Sequence, residues 1–351
     1  MKTTSRITGI GAYIPERQIT NDDVLGYLRD SSEAYLSDEE LEKVMSKAKY
    51  MLTRSGSDIR YYCDERQYCT DIARVASERA LEDAGINPMD LDLIIFTGMS
   101  KAFIEPATAH VLRNELGAFN ANVIDTQDAC TSIMKSAEIA NSLIKTGAYK
   151  NILIAAGERS FDWADFRCKT VDELAWKFGA LTIGDGAGAL VLQETSDEKY
   201  VEDPHHMDFA YQLTKGTYSI CSIGLNYRIG DRYKLYSHSS KLIRAGLTAI
   251  LEMLPKKLSE EKYQDFQYDN LFIHDIGKVI DDMVLPAIKA AEIHVPDNYR
   301  SFFGKFGNVG SVSLPLQLWM AKNDGRLAEG NKAVYICPAA GVQAGMMAFV
   351  A

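Results

Sequence analysis

Long apolar runs are missing from this chain of 351 residues, paired cysteines are missing, and positive charge is in short supply. No stretch approaches the ~20 consecutive apolar residues that a helix needs to cross a bilayer. Met1 to Ala12 lacks the continuous apolar segment of a secretory leader. Membrane insertion is therefore not expected, and the chain reads as cytoplasmic. The six cysteines, Cys63, Cys69, Cys130, Cys168, Cys221 and Cys337, include no C-x-x-C pair. That spacing argues against a zinc site and for reduced thiols. Lys and Arg total 38 against 48 Asp and Glu, a formal net charge of -10. With its bases scattered among acids, the chain offers no basic face to neutralise phosphates, which excludes a dedicated nucleic-acid binder.

What is present is an ordinary globular composition, 46% hydrophobic and 25% charged. The length suits two domains or one unit built from two similar halves. Short β-branched runs at Leu93 to Thr97, Asn151 to Ala156, Ala189 to Leu192, Leu271 to His274 and Ala333 to Cys337 read as buried strands. Apolar residues at three- and four-residue spacing predict helices over Asp71 to Ala84, Cys130 to Thr146, Ser239 to Leu254 and Asp281 to Ala291. The charged stretch Ser37 to Lys49 reads as a solvated helix whose neighbourhood could cover a substrate entrance. Strands alternating with helices predict an α/β fold with mostly parallel central strands.

The order of elements repeats. Helix, strand, glycine-bounded helix and strand follow one another from Asp71 to Gly157, and again from Ser239 to Gly341. The repeat predicts two halves, residues 1–197 and 198–351, joined through the polar stretch Asp197 to Asp203. It also sets Cys130 and Asn308 at equivalent helix starts.

Three residues could carry chemistry. Cys130, in D-A-C-T-S, sits between a strand and a long helix, where helix-start amides and the dipole favour a thiolate and supply oxyanion donors. A small buried cysteine would look the same. His274 ends the strand L-F-I-H and faces the crevice where α/β proteins bind ligands, or else is a satisfied structural group. Asn308, in F-G-N-V-G-S, is either a helix cap or the partner of Cys130 through the repeat. The glycines of Gly184 to Gly188 precede a strand instead of opening a helix, so they read as close packing and not as a nucleotide loop.

In sequence order, G-I-G-A-Y-I-P at Gly9 to Pro15, T-R-S-G-S-D-I-R at Thr53 to Arg60, the cysteine segment Asp128 to Ser132, I-G-D-G-A-G-A at Ile183 to Ala189, the histidine strand, G-N-V-G-S at Gly307 to Ser311 and A-A-G-V-Q-A-G at Ala339 to Gly345 resemble the thiolase superfamily. The resemblance is to its β-ketoacyl-acyl-carrier-protein synthase III group. It implies an α-β-α-β-α layered fold of two βαβαβ-type halves. It also implies Cys130 as acyl-accepting nucleophile, His274 and Asn308 as donors to the second thioester, and the amides of Cys130, Ala340 and Gly341 as an oxyanion hole. No cofactor is implied beyond acyl-CoA or acyl carrier protein thioesters as substrates. His274-Asp275-Ile276-Gly277 departs from the family's His-Gln-Ala-Asn, Ser31 to Leu36 holds no indole, and Ala339-Ala340-Gly341 stands where three glycines are usual. These departures point away from housekeeping fatty-acid initiation.

Phe103-Ile104-Glu105-Pro106-Ala107-Thr108-Ala109 is similar to a stretch of the synthases that join two acyl chains head to head. That likeness implies a homodimer in which Glu105 acts as a base in the partner's site and Phe103 lines the acyl pocket; an exposed glutamate before a helix-starting proline is the alternative. Lys241, Arg244 and Lys278 are the expected rim for an acidic carrier or coenzyme A. The expected function is Claisen-type condensation in polyketide, lipid or other secondary metabolism. The alternatives are ester or amide formation from the same acyl-enzyme, and a non-catalytic partner subunit.

Overall fold

A computed structural model describes residues 2–101, 103–214, 222–224, 235–263 and 266–351, so Cys221 lies outside the described residues. Two sheets form its frame. The first has five strands in the order Thr4–Tyr13, Gly186–Thr195, Asn151–Glu158, Leu93–Thr97 and Asn122–Thr126. The second has four, in the order Asp208–Leu213, Gln343–Val350, Lys332–Ala339 and Asn270–Ile273. In each sheet the second strand in that order runs antiparallel to both neighbours, and the remaining adjacent pairs are parallel. The smaller sheet thus repeats the order and direction of the first four strands of the larger one.

Pairing is therefore mixed, where strand–helix alternation predicted mostly parallel strands. In the second sheet the cause is local. Lys332–Ala339 and Gln343–Val350 are joined by residues 340–342 alone, and so short a link permits only an antiparallel hairpin.

Alternating side chains sort into layers. From strand Leu93–Thr97, Leu93 and Ile95 enter one core while Ile94 and Phe96 enter another, as a strand buried on both faces requires. The first of these cores also takes Ile133, Met134 and Ala137 of helix Ser132–Lys145, Leu314, Leu316 and Leu318 of helix Ser313–Asn323, and Tyr335 and Phe349 of the second sheet. These two helices form the middle layer. Every residue from Ser313 to Leu318 is buried, the pattern of a helix packed between two sheets and not of an amphipathic surface helix. Helices Cys69–Ala84 and Thr108–Leu116 cover the outer face of the first sheet, and helix Ser239–Leu258 covers that of the second. The result is the α-β-α-β-α sandwich.

Glycines set one helix–sheet distance. A Cβ on Gly9 would meet the Ala80 carbonyl at 2.0 Å, one on Gly11 the Ala76 carbonyl at 2.0 Å, and one on Gly157 the Cys69 carbonyl at 2.0 Å. Helix Cys69–Ala84 therefore lies directly on the backbone of the sheet, which gives the G-I-G-A-Y segment its physical reason.

A lobe built from helices Asn21–Ser32 and Asp38–Ser55 and from residues 161–183 packs around Leu28, Leu52, Tyr62 and Phe178. Both helices open with capping boxes, Thr20 with Asp23 and Ser37 with Glu40. The stretch expected as a polar link, Asp197 to Asp203, contains a short helix, Glu198–Val201, capped by Asp197. The predicted helix Asp281 to Ala291 is a π turn, Ile280–Val284, followed by helix Leu285–Ala290. Among the described residues no helix is long and apolar enough to cross a membrane.

Candidate active site

Strand Asn122–Thr126 feeds a tight 3-10 turn, Ala129–Thr131, that continues as helix Ser132–Lys145. Ala129 sits at φ 46, a left-handed conformation that costs a non-glycine residue about 1–3 kcal/mol. That strain turns the chain sharply just before Cys130. In the second half Gly310, at φ 59, opens the turn Gly310–Val312 before helix Ser313–Asn323. Matching the two turns aligns Cys130 with Ser311, not with Asn308, which lies three residues earlier. The expected equivalence of Cys130 and Asn308 is corrected accordingly: the repeat brings Asn308 near the site through the loop that enters its turn.

Cys130, His274, Asn308 and Ala340 line one cavity of about 130 Å³. They come from segments far apart in sequence. His274 follows strand Asn270–Ile273, its N–H donating to the Ile336 carbonyl at 2.8 Å. Its ring is buried, and among the described residues neither nitrogen has a hydrogen-bond partner. Burial lowers the imidazole to about 4, so the ring is neutral at physiological pH and has one N–H to give. Asp275 beside it accepts from Ser301 Oγ at 2.7 Å and from the amides of Phe302 and Phe303 at 2.8 and 3.0 Å. The Asp of His-Asp-Ile-Gly therefore anchors the 301–303 segment.

Asn308 is held from both sides. Its N–H donates to the Thr182 carbonyl and its own carbonyl accepts from Gly184 N–H, each at 2.9 Å. Its side-chain Oδ1 accepts from Gly310 N–H at 2.9 Å, which orients the amide and leaves Nδ2 as the group to donate. The glycine segment is close packing in fact: a Cβ on Gly184 would meet the Phe306 carbonyl at 2.4 Å, and one on Gly188 would meet Pro315 Cγ at 2.3 Å.

The helix start does not make Cys130 a thiolate. Burial, followed by the nearby carboxyl group of Glu158, pushes the thiol up to about 12, against a weaker downward pull from its own backbone N–H and with Asp128 adding to the rise. The expectation of a dipole-stabilised thiolate is thus corrected, because desolvation by the apolar cavity outweighs the helix end.

Much of that cavity went unread in the sequence. Helix Ser239–Leu258 presents Leu242, Ile243, Gly246, Leu247 and Ile250 to it, and Trp163, Met99 and Val284 add further apolar surface. Glu158, also missed, is fully buried at the end of strand Asn151–Glu158 and accepts from the amides of Met99 and Ser100 at 3.0 Å each and from Ser311 Oγ at 2.5 Å. Burial raises its pKa. An acid closing an otherwise apolar buried strand was the available signal.

Phe103 and Glu105 stand outside this cavity. The segment Phe103 to Pro106 is exposed, with Phe103 at 42% and Ile104 at 101%. Asp125 moors its two ends, accepting from Lys101 Nζ at 3.2 Å and from the amides of Thr108 and Ala109 at 2.9 Å. Lys241 and Arg244 are exposed on the same helix whose other side lines the cavity, and Lys278 is exposed just past His274, its stem against Gly56. Gly341 is exposed at φ 117 beside Ala340.

Comparison with known proteins bears on this geometry. The family described as 3-oxoacyl-[acyl-carrier-protein (ACP)] synthase III matches residues 124–207, which include Cys130 and Glu158. β-Ketoacyl-[acyl-carrier-protein] synthase III of Rickettsia canadensis is 24% identical over 343 residues, covering 97% of each chain. The protein of that name from Listeria welshimeri is 26% identical, covering 94% of this chain and 93% of its own. The chain is thus similar along nearly its whole length to synthase III proteins. Solved structures agree on the fold: the 3-oxoacyl-[acyl-carrier-protein] synthase III of Aquifex aeolicus superposes with a TM-score of 0.79 at 22% identity, covering 99% of this chain and all of its own. An OleA variant from Xanthomonas campestris superposes with a TM-score of 0.80 at 20% identity, covering 100% and 99%.

Proposed function

We propose that the chain accepts an acyl group from a coenzyme A or carrier-protein thioester on Cys130 and condenses it with a second acyl thioester, forming a carbon–carbon bond. The observation that supports this most directly is the meeting of Cys130, His274, Asn308 and Ala340 in one apolar cavity. In the first step the sulfur of Cys130 attacks the thioester carbonyl while its proton is handed on to the sulfur of the departing thiol. The tetrahedral oxyanion is held by the N–H groups of Cys130 and of the Ala340–Gly341 turn, and the leaving thiol takes a proton as the acyl-enzyme forms. In the second step the neutral imidazole of His274 and Nδ2 of Asn308 donate to the carbonyl oxygen of the incoming thioester. That oxygen carries the negative charge once the α-carbon becomes nucleophilic; the α-carbon then attacks the acyl carbonyl on Cys130, and as the carbon–carbon bond forms the carbon–sulfur bond to Cys130 breaks and the released thiolate takes up a proton. A neutral His274 suits this role, because a ring with an N–H can stabilise an enolate without bringing a net charge into an apolar site.

Cleavage of a carboxylate or removal of a proton would both generate that carbanion. The exposed Phe103–Pro106 segment favours the second, with Glu105 as base across a homodimer. Strand Asn122–Thr126 is the outer strand of its sheet, with Ile124 37% exposed and Phe119 56% exposed nearby in sequence. An uncovered edge of this kind suits pairing with a second copy. Lys241, Arg244 and Lys278 supply positive charge for a carrier or coenzyme on a chain that is otherwise acidic.

Intact mass spectrometry after incubation with a panel of acyl-coenzyme A and acyl-carrier thioesters tests the reading. A mass gain equal to one acyl group, absent in Cys130→Ala, is expected. No adduct with any thioester, or an adduct that persists in Cys130→Ala, refutes it.

A further inference from the structure

The turn that carries Cys130 is fastened to the C-terminal hairpin. Asp128 Oδ1 accepts from Gln343 Nε2 at 2.8 Å, and Asp128 Oδ2 accepts from Thr131 Oγ1 at 3.0 Å. Gln343 Nε2 also reaches Thr131 Oγ1 at 3.2 Å, closing a ring of three side chains, and Thr131 Oγ1 lies 2.7 Å from the Asp128 carbonyl. The Asp128 N–H donates to Ser132 Oγ at 2.8 Å. Residues 128 and 131 bracket Cys130 in sequence, so the ring grips the nucleophile's turn on both sides.

The other end of the grip matters as much. Gln343 is 5% exposed and is the first residue of strand Gln343–Val350, paired with Ala339 across the hairpin whose tip holds Ala340 and Gly341. The oxyanion donors of the proposed chemistry come from these two separate segments, one at residue 130 and one at residues 340–341. Their spacing has to hold within a fraction of an ångström for both to meet one oxygen. A buried side-chain link between the segments fixes that spacing directly, where sheet packing alone would fix it through many intervening contacts.

Resting on Cys130 as the acyl acceptor, we propose that Asp128 and Gln343 are a positioning pair that sets the Cys130 turn against the Ala340–Gly341 turn, so that breaking the pair slows acyl transfer without weakening thioester binding. Asparagine at 128 keeps an oxygen for Gln343 Nε2 and can donate to Thr131 Oγ1, so it preserves the ring while removing the charge. Alanine at 128, or leucine at 343, opens it.

The test compares wild type, Asp128→Asn, Asp128→Ala, Gln343→Leu and the double variant Asp128→Ala/Gln343→Leu. Acylation by acetyl-, octanoyl- and palmitoyl-coenzyme A is followed by quenched-flow intact mass, and thermal melts report on folding. With the thioester that acylates wild type fastest, Asp128→Ala and Gln343→Leu lower the maximal acylation rate by at least about tenfold while the half-saturating concentration moves by less than about threefold. The double variant is no slower than the slower single, since both changes remove the same link. Asp128→Asn restores the rate to within about threefold of wild type, which also excludes a general folding defect at this position. Wild-type rates in both single variants, multiplying losses in the double, or an Asp128→Asn variant as slow as Asp128→Ala each overturn the pair. Alkylation of Cys130 by iodoacetamide needs no thioester. A wild type that alkylates yet accepts no acyl group refutes the acyl-acceptor reading and the pair's role with it, whereas an acylated wild type matched by its variants refutes the pair alone.

Discussion

A thiol held at about 12 in place of the ordinary 9.0 makes a quantitative prediction about reactivity. Three units correspond to about 4 kcal/mol against ionisation. At pH 8 an ordinary cysteine is about one-tenth thiolate, whereas Cys130 is thiolate in only about one molecule in ten thousand. Because the thiolate is the species that alkylates, the rate of Cys130 carboxamidomethylation, followed by peptide mass spectrometry, should rise about tenfold per pH unit from pH 7 to 10 and show no plateau. The same peptide in denaturant should titrate near the free value. Burial is the largest cause, so Glu158→Gln and Asp128→Asn, which remove only the charges next in order, should move the midpoint down by less than the full shift. A folded-state plateau with a midpoint at or below 9 would refute the argument and restore the helix-start thiolate. If the steep profile is found, the resting site holds a thiol beside a neutral imidazole, and the proton leaves during acylation.

His274 predicts an acid-sensitive fold. The unfolded imidazole takes a proton near 6.5 and the buried one refuses it down to about 4, so the unfolded state binds more protons between those values and stability falls as pH falls through that window. Relative to His274→Asn, wild type should lose about 3 kcal/mol between pH 6.5 and 4 in urea titrations; parallel curves for the two proteins contradict the shift. Gly11→Ala would drive a Cβ to 2.0 Å from the Ala76 carbonyl, a backbone atom that cannot rotate away. A loss of about 1–3 kcal/mol in chemical denaturation is expected, and an unchanged midpoint rules out the contact. Ile104, at 101% exposure, should be covered in a dimer; sedimentation velocity is expected to find wild type dimeric and Ile104→Asp monomeric, and a monomeric wild type dismisses the interface.

How far the fold could be read depended on whether a segment's pattern was decided locally. Leu93–Thr97 was read to the residue because five consecutive buried positions leave no ambiguity. The strand Thr4–Tyr13 was missed, since its glycines serve helix Cys69–Ala84, far along the chain, and dilute the β-branched signal. Asp208–Leu213 was missed for another reason: as an outer strand of the second sheet it is half-buried from Asp208 to Gln212, ends on an exposed Leu213, and holds no long β-branched run. The direction of Gln343–Val350 follows from a hairpin tip that the A-A-G-V-Q-A-G segment displayed, but it was read for resemblance and not for topology.

The site divides along the same line. Cys130 was legible because a nucleophile's turn is a local object, a strand ending three residues before a strained Ala129 and a helix beginning three residues after it. Its ionisation was not legible, because it is set by what other segments bring to the cavity: the helix face from Leu242 to Ile250, and Glu158 held by Ser311 across the two halves. The repeat supplies the connection. Ser311 occupies in the second half the place that Cys130 occupies in the first, and its hydroxyl is spent on Glu158. One copy of the turn has thus become a fixed strut, and the other keeps a free sulfur facing the cavity. Two equivalent turns would compete for one substrate; one strut and one nucleophile divide the work, with Asn308 projecting from the loop that the strut holds still.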